Sequence, residues 1–314
     1  MSGATIPIVT RISHNIIRIL GCNPGPMTLQ GTNTYLIGTG VKRILLDTGD
    51  PDKPLFIENL KNVLQAENAA IETILLTHWH HDHIGGVKDV LNILDTNSKC
   101  KVWKYPRLDA PDVYDEIPKP VELHKLTDGQ EFQVDGATVK VIYTPGHTTD
   151  HIVLQLTDDE SLFSGDCILG DFQAICSALF SIFFLIKSGE GTAVFEDLYD
   201  YMQSLKVILD KKPTKIYPGH GNIVDDPLPK IQFYIDHRNQ RESQILNVLK
   251  SNPEQSFTEM ELVEIIYKET PKELWPAAAY NVNHHLTKLT KERQIVALIK
   301  DGVSVWQYRQ ASVL

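Results

Sequence analysis

Residues 77 to 83 read Thr-His-Trp-His-His-Asp-His, four histidines and an aspartate within seven positions. Imidazole nitrogens and carboxylate oxygens are ligands for zinc and its borderline neighbours. The spacing is His78-x-His80-x-Asp82-His83, directly behind the apolar run Ile74–Leu76. A strand ending in a tight loop turns His78 and His80 to one side and sends Asp82 and His83 toward a second position. One zinc takes three or four protein ligands, so four candidates in six residues point to two cations sharing the loop. A bridging hydroxide made at such a pair near neutral pH is a strong nucleophile, which is hydrolytic chemistry.

The rest of the ligand set is expected at the ends of later strands. YTPGHT places His147 after Val139–Tyr143, LFSGD places Asp166 after another apolar run, and IYPGHG places His220 after Lys215–Tyr217. In each case an apolar run ends in a glycine turn and one ligand-type residue. A lone histidine is more often structural, so His147 and His220 gain their meaning from the repeated pattern. Asp47, in ILLDTG, reads as a carboxylate that orients a ligand histidine. His81 reads as exposed and not a ligand; His151 is open between packing and support of the site.

Short β-like runs must carry these turns: Ile16–Leu20, Thr34–Ile37, Arg43–Leu46, Ile74–Leu76, Val139–Tyr143, Ile152–Leu156 and Lys215–Tyr217. Helical spacing appears from Leu55 to Leu64, from Val87 to Leu94 and from about Val194 to Leu209. The mix implies sheets covered by helices, an α/β or α+β layered domain. From about residue 229 the texture is helical, with candidates at Ile231–Leu249, after a cap at Ser256 with Glu259, and at Pro276–Thr290. QIVALIKDGVSVWQY then alternates like a hairpin turning at Asp301-Gly302. Three helices and a hairpin are the order of a winged-helix module, so the expected division is residues 1–228 and 229–314.

The 314 residues carry a formal charge of −10, which argues against broad electrostatic binding to nucleic acid or anionic membranes. Residues 230–314 hold eleven Lys/Arg against ten Asp/Glu, so residues 1–229 carry −11 and the tail +1. Cys22, Cys100, Cys167 and Cys176 show no paired spacing and fit a reducing compartment. The first twenty residues lack a secretory-signal pattern and, with Arg11 and Arg18 and no acidic residue, faintly suggest a transit peptide.

The series LLDTG, THWHHDH, TPGHT, SGD and YPGHG resembles the metallo-β-lactamase superfamily, which includes glyoxalase II. GCNPGPMTLQGTNTYL, FSGDCILG, VFEDLYDYM and the tail narrow the likeness to the beta-lactamase-like protein 2 endoribonucleases. The resemblance spans nearly the whole chain. It implies an α+β fold, a four-layer αββα sandwich with a C-terminal winged-helix-like module, and two Zn2+ ions. It assigns His78, His80 and His147 to one zinc and Asp82, His83 and His220 to the other, with Asp166 bridging and Asp82 orienting the nucleophile. It also implies a mitochondrial matrix location, with the cytoplasm as the alternative.

The same site chemistry suits a phosphodiester, a thioester or a lactam. The first expectation is an endoribonuclease on single-stranded RNA, with Lys288, Lys291 and Arg293 as candidate phosphate contacts or, equally, a solvated helix face. The alternative is a glyoxalase II-type thioester hydrolase acting on a small molecule, which suits the acidic body. No membrane partner is expected, and monomer and homodimer are both open. His284 and His285 read as helix packing. One stretch breaks the family pattern: DFQAICSALFSIFFLIKSG, residues 171–189, stands between motifs that otherwise adjoin. It reads as an insertion or as translated intron, because its Phe, Ser, Leu and Ile codons are pyrimidine-rich like a splice-acceptor tract.

Overall fold

A computed structural model describes residues 5–94, 99–111, 117, 119, 121–170 and 194–309. The suspected insertion at 171–189 lies outside the described residues.

The first sheet runs β1 (Val9–Arg11), β2 (Ile16–Leu20), β3 (Asn33–Ile37), β4 (Lys42–Leu46), β5 (Ala70–Leu76), β6 (Lys101–Lys104) and β7 (Leu123–Lys125), in sequence order across the sheet. The pairs β1 to β4 are antiparallel; β4 to β7 are parallel and need crossovers. α1 (Pro54–Ala66) joins β4 to β5, and α2 (His81–Ile84) with α3 (Val87–Ile93) lies between β5 and β6. The second sheet has the order β12-β11-β10-β9-β8: β8 (Glu131–Val134), β9 (Ala137–Tyr143), β10 (Ile152–Leu156), β11 (Ser161–Gly165) and β12 (Ile216–Pro218). β12 returns parallel to β11, with α4 (Leu198–Asp210) between them in sequence.

Alternation along the strands builds the layers. Ile16, Tyr35, Ile37, Leu46 and Leu75 meet Val139, Val141, Ile152, Leu154 and Phe163 between the two sheets. The neighbouring side chains Ile17, Leu36, Leu45, Ile74 and Leu76 face the other way, onto Phe56 and Leu60 of α1 and Val87 and Val90 of α3. On the far side, Val153, Leu162 and Ile216 pack on Leu198, Tyr201 and Leu205 of α4. The result is helix, sheet, sheet, helix. With both faces of each sheet covered, the central strands read as mainly apolar runs.

α5 (Pro227–Ser251) serves two cores. Ile231, Tyr234 and Ile235 pack with the second sheet's helical layer, whereas Ile245 and Leu249 belong to the C-terminal core. A division placed at 228/229 therefore falls at the start of a helix shared by both. That C-terminal core is closed by β13 (Ser256–Phe257), α6 (Glu259–Ile266), α7 (Trp275–Lys291) and the hairpin of β14 (Ile295–Lys300) and β15 (Val303–Tyr308). Asp301 and Gly302 both take positive φ at the hairpin turn, as expected for this dipeptide. The cap of α6 is not at Ser256. Thr258 accepts from the Glu261 backbone N–H and the Glu261 side chain accepts from the Thr258 N–H, because Ser256 is engaged in β13. Among the described residues, no helix is long and apolar enough to cross a membrane.

Candidate metal centre

All the turns singled out in the sequence meet at one edge of the sandwich. His78 and His80 follow β5, Asp82 and His83 sit on the single turn of α2, His147 follows β9, Asp166 follows β11, and His220 follows β12. Two backbone bonds tie the sheets together there: Ile152 N–H donates to Thr77 C=O at 3.0 Å, and Asn33 N–H donates to Gly219 C=O at 2.7 Å. The glycines let the loops close on one another. Gly146 takes φ +128°, and a Cβ there would strike the Tyr201 backbone; a Cβ on Gly219 would lie 2.5 Å from Asp166 Oδ1.

The ligand atoms fall into two groups, His78, His80, His147 and Asp166 in one, Asp82, His83 and His220 in the other, each within 4.8 Å across. In the first, His78 Nε2 and His80 Nδ1 are 3.0 Å apart, His147 Nε2 and His80 Nδ1 3.0 Å, and His147 Nε2 and His78 Nε2 3.3 Å. Three nitrogens in so small a triangle cannot all be satisfied by sharing protons. A tetrahedral cation with bonds of about 2.0–2.1 Å spaces its ligands about 3.3–3.4 Å apart, so the donor set fits one. In the second group, Asp82 Oδ2 lies 3.1 Å from His220 Nε2 and 3.4 Å from His83 Nε2. Asp166 faces both: Oδ1 is 3.3 Å from His220 Nε2 and 3.4 Å from His83 Nε2, while Oδ2 is 3.7 Å from His147 Nε2. Asp166 Oδ1 is buried and makes no hydrogen bond with the described residues, facing only the inward nitrogens of His83 and His220, a position that suits a cation.

Hydrogen bonds set which imidazole nitrogen faces inward. Asp47, itself held at φ +58°, accepts through Oδ1 from the Thr77 N–H (2.8 Å) and through Oδ2 from Thr77 Oγ1 (2.9 Å). The same Oδ2 is 2.7 Å from His83 Nδ1, which fixes Nε2 toward the cavity; this is the orienting role expected of Asp47. Thr77 Oγ1 in turn lies 2.9 Å from His78 Nδ1, and His147 Nδ1 donates to Val194 C=O at 2.7 Å. His151 supports the site without facing it: Asp166 N–H donates to its Nε2 at 3.1 Å, and its Nδ1 meets Thr144 Oγ1 at 3.0 Å. His81 is exposed and belongs to neither group.

Charge divides the two groups. Burial pushes the His78, His80 and His147 protons off, and neighbouring imidazoles lower His78 and His80 further, His80 to about 3. At His83 and His220 burial is outweighed by carboxylates, Asp82, Asp47 and Asp166 for His83 and Asp166 and Asp82 for His220, so both are raised, His220 to about 9. Burial acts upward on Asp82 and Asp166 as well, but His83 and His220 hold both well below the usual carboxylate range.

One supporting layer was not read from the sequence. Thr32 Oγ1 donates to Asp82 Oδ2 at 3.1 Å, and Asn23 orders Thr32 by accepting its N–H at 2.9 Å. Asn33 Nδ2 donates to Pro218 C=O and Gly221 C=O, and Tyr35 Oη donates to Pro218 C=O, gripping the His220 turn from the opposite sheet. The signal lay in GCNPGPMTLQGTNTYL, which carries Asn23, Thr32, Asn33 and Tyr35.

Among the tail cations, Lys288 is a correction. Lys288 is only 7% exposed, and its amine donates to Glu242 and is paired with Glu292, each at 2.8 Å. Lys291 pairs with Asp197, the N-cap of α4. Lys288 is thus buried in the fold, whereas Lys291 and Arg293 are exposed, as a solvated helix face requires. The cavity above these side chains, about 150 Å3, is lined by Met27, Leu169, Val194, Phe195, Glu196 and Tyr280 beside the candidate ligands, with no lysine or arginine among the described residues.

Comparison with known proteins agrees with this architecture. Residues 27–220 match the model of the metallo-beta-lactamase superfamily, and residues 258–302 match the beta-lactamase associated winged helix domain. The chain is 53% identical over 311 residues to a Beta-lactamase-like protein 2 homolog of Drosophila melanogaster, covering 99% of this chain and 100% of that one. It is 35% identical to an atrochrysone carboxyl ACP thioesterase of Aspergillus fumigatus, covering 96% of this chain and 89% of that one. A crystal structure of a beta-lactamase domain protein from Burkholderia ambifaria shares the fold at a TM-score of 0.71 and 16% identity, over 98% of this chain and 96% of that one. With a layered sandwich, a metal-ligand cluster at its edge and a winged-helix tail, the chain belongs to the metallo-beta-lactamase superfamily.

Proposed function

We propose that the chain is a di-zinc endoribonuclease that cleaves phosphodiester bonds in single-stranded RNA. The observation that carries this reading is Asp166, whose two oxygens face two separate ligand groups. His78, His80 and His147 would hold one ion and Asp82, His83 and His220 the other. When bound, such a pair lowers the pKa of water and neutralises charge on both the attacking and the leaving oxygen of a phosphodiester. The chain supplies the rest. Asp82 Oδ2 is taken up by Thr32 and faces His220, which leaves Oδ1 to accept a hydrogen bond from the attacking water and so orient it. Asp47 and Thr77 keep His83 and His78 with their basic nitrogens turned inward. The family resemblance supports RNA as substrate and the mitochondrial matrix as compartment; fractionation of cells expressing the tagged chain tests the latter.

A second reading, thioester hydrolysis, is favoured by the relative described as an ACP thioesterase and by a cavity lining that, among the described residues, holds no lysine or arginine. Zinc-loaded protein is therefore assayed in parallel on a single-stranded RNA oligonucleotide and on a small acyl thioester. Cleavage of the RNA, abolished by Asp82→Ala, is expected. Turnover of the thioester with the RNA left intact would replace the first reading with the second.

A further inference from the structure

The wall of the cavity opposite Met27 and the ligand loops includes a residue from the C-terminal region. Tyr280, on α7, lines the cavity although the ligands all come from the sandwich. Its ring is 51% exposed, yet it is not loosely placed. His284, one turn further along α7, meets it edge-on at 4.6 Å between ring centroids. His284 in turn meets Phe195 edge-on at 5.0 Å, and Phe195 stacks on the buried Tyr201 at 5.3 Å, with the Arg238 guanidinium 4.5 Å from the Phe195 ring. A ladder of rings thus runs from the core of α4 to the half-exposed Tyr280 ring in the cavity lining. Half-exposed aromatics cost apolar surface in water, and one held in place by three more rings is preorganised for a flat partner.

We infer that Tyr280 is a substrate-positioning residue whose ring stacks on a nucleobase next to the bond being cut, so that the C-terminal region grips the substrate by its base and not by its phosphates. This inference rests on the RNA reading. It accounts for the tail lysines: Lys288 and Lys291 are committed to Glu242, Glu292 and Asp197, and these pairs fix α7 against α5 and the cap of α4, setting where Tyr280 stands. Stacking on an aromatic side chain tolerates any base, so little sequence preference is expected from this contact. Double-stranded RNA, whose bases are already stacked on one another, cannot use it.

The test compares wild type, Tyr280→Phe and Tyr280→Ala as full-length, zinc-loaded chains on a single-stranded oligonucleotide whose cleavage point has been mapped. Tyr280→Ala should raise KM about tenfold with kcat little changed, and Tyr280→Phe should restore it, because the face and not the hydroxyl is used. An abasic site beside the cut should cost wild type the same factor and cost Tyr280→Ala nothing further. In an Asp82→Ala background, which leaves the oligonucleotide whole, 2-aminopurine at that position should be quenched on binding, and Tyr280→Ala should remove the quenching. An unchanged KM in Tyr280→Ala, or abasic and Tyr280→Ala losses that multiply independently, overturns the inference while leaving the RNA reading intact. Wild type that leaves RNA uncut overturns both.

Discussion

The two halves of the centre are made of similar residues and solve opposite electrostatic problems. His78, His80 and His147 are three imidazoles stripped of protons by burial and by one another, a neutral nest of lone pairs. His83 and His220 stand among Asp47, Asp82 and Asp166, so without a cation they take up protons to balance the carboxylates. Residue type alone does not set a histidine's state; the carboxylates within about 4 Å do. A cation entering the first half displaces nothing, whereas one entering the second must expel protons.

The largest effect that sharpens this comparison comes from the residue shared by both halves. Asp166→Asn keeps the shape but removes the charge facing the two groups, and hydrolysis should fall about a thousandfold, equivalent to about 4 kcal/mol of barrier. Activity within about tenfold of wild type would show that Asp166 joins nothing. Next comes pH. His80, at about 3, is already deprotonated across the neutral range, so zinc affinity of the His78–His80–His147 group should be flat from pH 6 to 9. The Asp82–His83–His220 group should bind more tightly as pH rises toward the His220 value of about 9, with proton release seen by calorimetry in buffers of different ionisation enthalpy. In the metal-free chain the sign reverses for stability. A raised histidine stabilises the fold below its unfolded value of about 6.5 and loses that contribution as pH rises through about 9, so thermal unfolding of metal-free protein should come earlier in alkali. Equal pH slopes for both groups would erase the distinction.

Smaller effects probe the supports. Asp47→Asn leaves His83 without its anionic acceptor and should cost about 10- to 100-fold in metal affinity at the second group, with the first unaffected. Thr32→Val removes one hydrogen bond to Asp82 and should lower turnover by about tenfold or less, read as kcat on either substrate class.

How much of this was legible in the sequence follows from where the information sits. The seven candidate ligands were legible as a group because their types are metal-friendly and they follow apolar runs and turns. Ile16–Leu20 and Ile152–Leu156 were legible to the residue, since each is a run covered on both faces and apolar but for one residue, Arg18 or Gln155. Lys101–Lys104, Leu123–Lys125 and Glu131–Val134 were not: each is short and partly exposed, with polar residues among the apolar ones. Lys288 was misread because its half-buried partner, Glu242, is 46 positions away, and a helix-borne lysine looks solvated until its neighbour is known. The grip of Asn33 on the His220 turn spans more than 180 positions, a tertiary contact that no local pattern encodes.

Anomalous diffraction at the zinc edge, from crystals of the zinc-loaded chain, tests the central claim most directly. Two peaks are expected, one bounded by His78, His80 and His147, the other by Asp82, His83 and His220, with Asp166 between them. A single peak, or peaks remote from Asp166, would contradict the two-cation centre and the hydrolytic reading built on it.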